Sequence, residues 1–298
     1  MNNFKNFVII VLSSIIIIQS AFLIYLLRNG SQPGRKKARP AAIAAPVKEK
    51  ERTERAPEPE AILKERLAPE TAVKPKMRLG RIAIVLDDWG YNLRNRDFIT
   101  DNDFSLTLSI LPFKPFSTEA ARLAHSKNKD VIVHMPMEPH NKADYSLEEK
   151  TLLTTMDRDK VLNMLDQAFE SVPYACGVSN HMGSMATENA RLMKIVLGYL
   201  RKREMFFLDS LVTPRSVCRK LAQSLKLRYA QRDVFIDNES DRVYIRAQLV
   251  KLSVMAKNRG VAVGIGHDRV NTIAVLREVI PEFRAQGYEF VNLSEVVE

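Results

Sequence analysis

Cysteine is nearly absent from this 298-residue chain, with only Cys176 and Cys218. Neither belongs to a C-x-x-C pair, which argues against a zinc ribbon or a disulfide scaffold. One disulfide is compatible with a domain outside the cytosol, but two buried free thiols are the simpler expectation. Glycine-rich phosphate loops are missing too. No G-x-G-x-x-G or G-x-x-x-x-G-K-[ST] follows a strand-like run, which removes the usual nucleotide sites. Neither Ser184 nor Ser210 sits in a G-x-S-x-G elbow, so the simplest serine hydrolase is not supported. Residues 28–78 contain no aromatic side chain and few β-branched ones, and are rich in Lys, Arg, Glu, Ala and Pro. Such a segment cannot bury enough apolar surface to offset its ordering entropy. It reads as a solvated tether, with transient helix in EKERTERAPEPEAILKERL.

The positive charge is unevenly placed. Residues 1–80 hold 15 of the 45 Lys and Arg but only 7 of the 35 acids, a surplus of +8, which leaves +2 for residues 81–298. The basic character belongs to the tether, and no basic domain face is indicated, so nucleic acid is not an expected partner. An anionic headgroup layer near the tether explains the charge more simply.

Before the tether, Phe7 to Leu27 reads FVIIVLSSIIIIQSAFLIYLL without a charge. About 20 such residues cross a hydrocarbon core, whereas secretory apolar regions run to about 15, and no convincing small-x-small cleavage site follows the run directly. The expectation is a single-pass anchor over residues 1–28, a disordered linker over 29–79 and a folded domain over 80–298. Lys5 precedes the span, while Arg28, Arg35, Lys36, Lys37 and Arg39 follow it. Taken alone, those flanks put the domain in the cytoplasm.

From Arg81 onward, short apolar runs alternate with amphipathic stretches. Strands are expected at 81–88, 105–112, 130–137, 176–183, 205–210, 232–237, 261–267 and 288–294. Between most of them lie stretches such as RDKVLNMLDQAFESV and DRVYIRAQLVKLSVMAKNRG, with apolar residues recurring at i, i+3, i+4 and i+7. Ser117, Asp157, Thr187, Asp241 and Asn271 are the expected N-caps. Strands buried on both faces and separated by helices make a parallel sheet, and seven to eight units suit a closed or nearly closed (β/α) barrel. An open doubly wound sheet is the alternative.

In a parallel barrel, working groups project from the C-terminal ends of the strands. Here those ends carry Asp87-Asp88, His134, Asn180-His181, Asp209-Ser210 and His267-Asp268. Singly, each has a plainer explanation: Asp88 as a helix cap, a lone His as a hydrogen-bonded rim residue, and Met135, Met137, Met182 and Met185 as packing. His125 falls in a helix and His140 in a loop. The combination is what these explanations account for poorly.

The segments IVLDDWGY, VHMPMEP, SNHMGS and GIGH, in that order, resemble the divergent polysaccharide deacetylase family, a branch of the NodB-like carbohydrate esterase superfamily. The resemblance implies a (β/α) barrel, with Asp87 as general base, Asp88 as metal ligand and His267 as general acid. Within the family's H-[ST]-x-x-H-P pattern His134 is retained, while Glu138 stands at the second histidine. The usual R-P-P-Y segment is absent, and His181 lies near its place. The ligand set implied is Asp88, His134 and His181, with Glu138 as a fourth ligand or a group behind them. Asn180, Ser184 and Asp209 are further candidates for that surrounding role. A divalent cation, zinc by preference, accepts two His and a carboxylate and keeps a position open. The expected activity is metal-dependent deacetylation of an N-acetylated envelope polysaccharide or peptidoglycan-type glycan. The resemblance also implies a bacterial inner-membrane protein with its domain on the extracytoplasmic side, against the charge flanks. A barrel kept as a non-catalytic glycan- or partner-binding module, and a cytoplasmic scaffold, are the rival expectations.

Overall fold

A computed structural model describes residues 78–298 apart from Tyr145. The anchor over 1–28 and nearly all of the linker over 29–79 lie outside the described residues. Among those described, no helix is long and apolar enough to cross a membrane.

Nine strands form one sheet: β1 (Gly80–Trp89), β2 (Thr107–Ile110), β3 (Asp130–Met137), β4 (Gly177–Met182), β5 (Phe206–Asp209), β6 (Arg228–Gln231), β7 (Val234–Phe235), β8 (Val261–His267) and β9 (Tyr288–Val291). The order is β6-β5-β4-β3-β2-β1-β8-β7, and the ladders between these neighbours are parallel. Strand β9 pairs with Gly80–Ala83 on the edge of β1 that β2 occupies further along. The two ends of the order, β6 and β7, are consecutive in the chain, yet no ladder joins them among the described residues. The result is a parallel-strand half-barrel and not a hydrogen-bonded closed barrel. All eight expected runs contain a strand. The ninth, β6, was not expected, because RYAQ is too short to show a period.

The longer helices are α1 (Arg96–Thr100), α2 (Ser117–Ser126), α3 (Arg158–Ser171), α4 (Ser184–Glu188), α5 (Ala190–Lys202), α6 (Cys218–Leu225), α7 (Arg242–Arg259) and α8 (Val270–Gln286). Asp157 and Asp241 cap α3 and α7 as expected, accepting from Lys160 N and Tyr244 N. The other three caps differ. Ser117 lies inside α2, where its hydroxyl donates to Leu111 O. Thr187 lies inside α4, and the cap of α5 is Asn189, which accepts from Leu192 N. Asn271 lies inside α8 and donates to Ser240 O. Cys176 and Cys218 are free thiols, and burial pushes the Cys176 thiol up to about 12.

Strand alternation divides the core into two layers. Ile82, Ile84, Leu86, Leu108, Ile110, Val131, Val133, Val178 and Phe207 point outward and share a cluster with helix residues such as Leu165, Leu192, Leu249 and Leu276. Ala83, Val85, Ile132, Phe206, Leu208, Val263 and Ile265 point inward and pack on one another across the half-barrel. Continuing the inward parity to the strand ends gives Asp87, His134, His181 and His267. The inner layer therefore ends in a polar layer at the C-terminal end of the sheet.

Candidate metal centre

Asp87 and Asp88 are consecutive, so a regular strand would send their side chains to opposite faces. The β1–β2 register shifts between Leu86 and Trp89, and Asp88 takes a left-handed φ of 65°. This irregularity turns Asp88 toward the side that Asp87 already faces. A non-glycine residue in that region is strained, and such strain persists only where the surroundings enforce it. Beyond β4, Gly183 has φ 90°, and a Cβ there would lie 2.8 Å from Met137 Cβ. Only glycine fits where the chain turns from His181 into α4.

Three side chains from three strands converge at this end. Asp88 Oδ1 lies 3.1 Å from His181 Nδ1 and 3.4 Å from His134 Nε2. The two imidazole nitrogens are 3.2 Å apart, with their rings edge-on at 79°. Tetrahedral ligands held about 2.0–2.1 Å from an ion lie about 3.3 Å from one another, so these separations are those of a ligand set. Among the described residues this is the one group of three or more His, Cys, Asp or Glu with atoms so placed. Asp88 Oδ1 is buried without a well-formed hydrogen bond, as an atom reserved for a cation would be. The chemistry of the donors and their spacing fit a divalent ion. The cluster is closed behind and open in front: the His134 side chain is 3% exposed, His181 21% and Asp88 31%.

Asp87 lies beside the cluster, its Oδ2 3.6 Å from His134 Nε2, and its Oδ1 is buried without a partner. Burial raises its carboxyl above the usual range, although His134 and His267 pull the other way. Asp88 is held far below the usual carboxylate range: burial pushes it up, but His134 and His181 outweigh that.

His267 faces the cluster from β8, where it is the register partner of Asp87. Its Nε2 is 4.0 Å from Asp88 Oδ2 and its Nδ1 is 2.7 Å from Asp237 Oδ1. Asp237 is fully buried, and its Oδ2 accepts from His267 N and Thr272 Oγ1. Burial alone would lower the imidazole, but Asp237, with help from Asp87 and Asp88, holds it above its ordinary value. Sequence reasoning missed Asp237. It ends the run RDVFID with inward parity, so the strand-end rule that found the others would have found it.

The remaining candidates stand elsewhere. Glu138, expected as a fourth ligand or just behind the ligands, accepts from Thr154 N and Oγ1 at 2.7 Å and from Lys142 Nζ at 3.0 Å. Asn180 accepts from Ser210 N and donates to Met182 O, tying β4 to β5. Asp209 accepts from Leu211 N, Ser216 Oγ and Tyr229 Oη. None of the three contributes to the cluster, and each organises a loop. Ser184 accepts from His140 N and lines a cleft of about 290 Å³ with Pro139, Met182, Gly183 and Val212. A larger cavity of about 710 Å³ lies at the β6–β8 seam, and no cluster residue lines either space.

Residues 84–297 match the sequence profile described as divergent polysaccharide deacetylase. The uncharacterized protein YibQ of Escherichia coli K12 is 32% identical over 209 residues, which cover 70% of this chain and 65% of that protein. The chain thus spans slightly less than two thirds of that relative's length. An uncharacterized protein of Haemophilus influenzae is 33% identical over 197 residues, 66% of this chain and 70% of the relative. Among solved structures, the uncharacterized protein ATU2773 from Agrobacterium tumefaciens has a TM-score of 0.71 at 22% identity. That similarity covers 74% of this chain and 90% of the other, and it shows a shared fold.

Proposed function

This chain belongs to the divergent polysaccharide deacetylase family, and from that membership we propose that it removes acetyl groups from an N-acetylated envelope polysaccharide of the peptidoglycan type, using a divalent cation. The observation that carries the proposal is the convergence of Asp88, His134 and His181 beside a buried Asp87 whose Oδ1 has no partner. A divalent ion held by those three residues, zinc in this reading, supplies the Lewis acidity that amide hydrolysis needs near neutral pH.

The protein's own groups then handle protons. Asp87 accepts a proton from the attacking water at its unpartnered oxygen, and its burial makes it a stronger base than an exposed aspartate. His267 keeps Nδ1 on Asp237 and directs Nε2 toward the cluster. Asp237 keeps that ring protonated to higher pH, so Nε2 can give its proton to the departing amine.

Acetate release from N-acetylated glycan fragments tests this reading, with the full chain assayed with and without chelator. Asp87→Asn should lower release at least about 100-fold. A wild type that releases no acetate with any divalent ion supplied would overturn it. A second reading, a glycan-binding module without catalysis, draws on one observation: Glu138, at the place of the family's second histidine, is tied to Thr154 and Lys142. Glycan binding that survives chelation and Asp87→Asn, without acetate release, identifies that module.

We also propose that the uncharged run from Phe7 to Leu27 anchors the chain in the bacterial inner membrane, with the domain on the extracytoplasmic side. A reporter fused after Glu298 that works only in the cytoplasm would contradict that side.

A further inference from the structure

We propose that Ser109 and Ser179 form a buried hydroxyl relay that fixes His134 in the tautomer presenting a bare Nε2 to the cation. The inference rests on the reading that Asp88, His134 and His181 hold a divalent ion.

Three neighbouring strands build the relay. Ser179 on β4 is the register partner of His134 on β3, and Ser109 on β2 is the partner of Ile132, two residues before His134. All three polar side chains share the inward parity of Ile132. His134 Nδ1 is 2.8 Å from Ser179 Oγ, and Ser179 Oγ is 2.8 Å from Ser109 Oγ. Both serines are fully buried in a layer that is otherwise built from Val85, Ile132, Leu208 and Ile265. A buried hydroxyl there is costly unless it is hydrogen-bonded, and a small apolar residue would suit packing alone.

The direction follows from the imidazole. Its Nε2 faces His181 and Asp88, so a ring that ligates through Nε2 carries its hydrogen on Nδ1. Ser179 Oγ then accepts from His134 Nδ1–H and donates to Ser109 Oγ. Without Ser179, nothing holds that hydrogen on Nδ1. Groups that orient a ligating imidazole in this way typically change metal affinity about 10- to 100-fold when removed. Ser179 and Ser109 are thus positioning residues, acting on the cation through His134.

The test titrates the metal-free full chain with zinc against a competing chelator, and reads the His134 tautomer from imidazole nitrogen shifts. Ser179→Ala should weaken zinc binding about 10- to 100-fold and leave His134 as a mixture of tautomers. Ser179→Thr, which keeps the hydroxyl, should restore both. Ser109→Ala should have a smaller effect, and the double alanine variant should match Ser179→Ala, because Ser109 acts through Ser179. Should Ser179→Ala not fold, Ser109→Ala and Ser179→Thr carry the same comparison. Unchanged affinity and an unchanged tautomer in Ser179→Ala would overturn the relay while leaving the metal reading intact. A wild type that binds no zinc would overturn the metal reading instead, and the tautomer would then decide the relay by itself.

Discussion

Two sets of polar groups lie buried near the C-terminal ends of the strands, and they are treated in opposite ways. Glu138, Asn180 and Asp209 are 1%, 0% and 1% exposed, much like Asp87 at 2%. Their oxygens are engaged by backbone amides, hydroxyls and a lysine, and each holds a loop in place. Asp87 and Asp88, by contrast, each keep a buried oxygen with no hydrogen bond, and they face imidazoles. Burial alone does not separate a structural carboxylate from a working one. What separates them is whether the surroundings satisfy it, because an unsatisfied buried charge costs stability that only a function or a ligand offsets.

Three substitutions sharpen this contrast. Glu138→Ala should cost the most, about 3 kcal/mol in denaturant unfolding, since it takes the shared acceptor from Thr154 N and Thr154 Oγ1. A loss near zero would move Glu138 out of the structural set. Asp237→Asn should cost about 2 kcal/mol, with a definite pH dependence. His267 has its folded pKa raised, so its share of the stability is full below the unfolded value of about 6.5 and disappears as pH rises through the folded value. Asp237 is held below the usual carboxylate range, burial being outweighed by His267 and Thr272. Its share is present above the unfolded value of about 3.9 and is lost as pH falls through the folded one. The difference between wild type and variant should therefore be greatest between about pH 4 and 6.5 and shrink at alkaline pH. Unfolding curves at pH 5.5 and 9 check it, and an equal difference at both would break the pairing argument.

Asp87→Asn should have the smallest effect and the opposite sign. It removes a desolvated charge, so the metal-free protein should gain about 1 kcal/mol while losing activity. A destabilised variant would place Asp87 with the structural set.

Much of this was legible from the chain. The β–α alternation gave the parallel sheet, and the strand ends placed Asp87, His134, His181 and His267 together, because parallel strands deliver their ends to one layer. Strand parity, had it been carried to each end, would also have sorted Asn180, Asp209 and Asp237. Asn180 and Asp209 follow Val178 and Phe207 with outward parity, away from the inner layer, whereas Asp237 follows Phe235 with inward parity. Asp88 was found through its motif and not through parity, since a left-handed φ in a β-irregularity has no pattern in one sequence. Glu138 misled for a different reason. Its spacing from His134 fits a ligand, but its orientation depends on Thr154, sixteen residues later, in a loop that no local signal ties to it. The half-barrel's open seam was equally hidden, because strand pairing between β6 and β7 is a property of the whole sheet.

The most direct test of the account is the metal content of the purified chain after equilibration with zinc, for wild type, Asp88→Asn and His134→Ala. The account predicts one tightly held ion per wild-type chain and loss of that ion in both variants, with folding retained. A wild type that holds no ion, or variants that hold it as tightly as wild type, would contradict it.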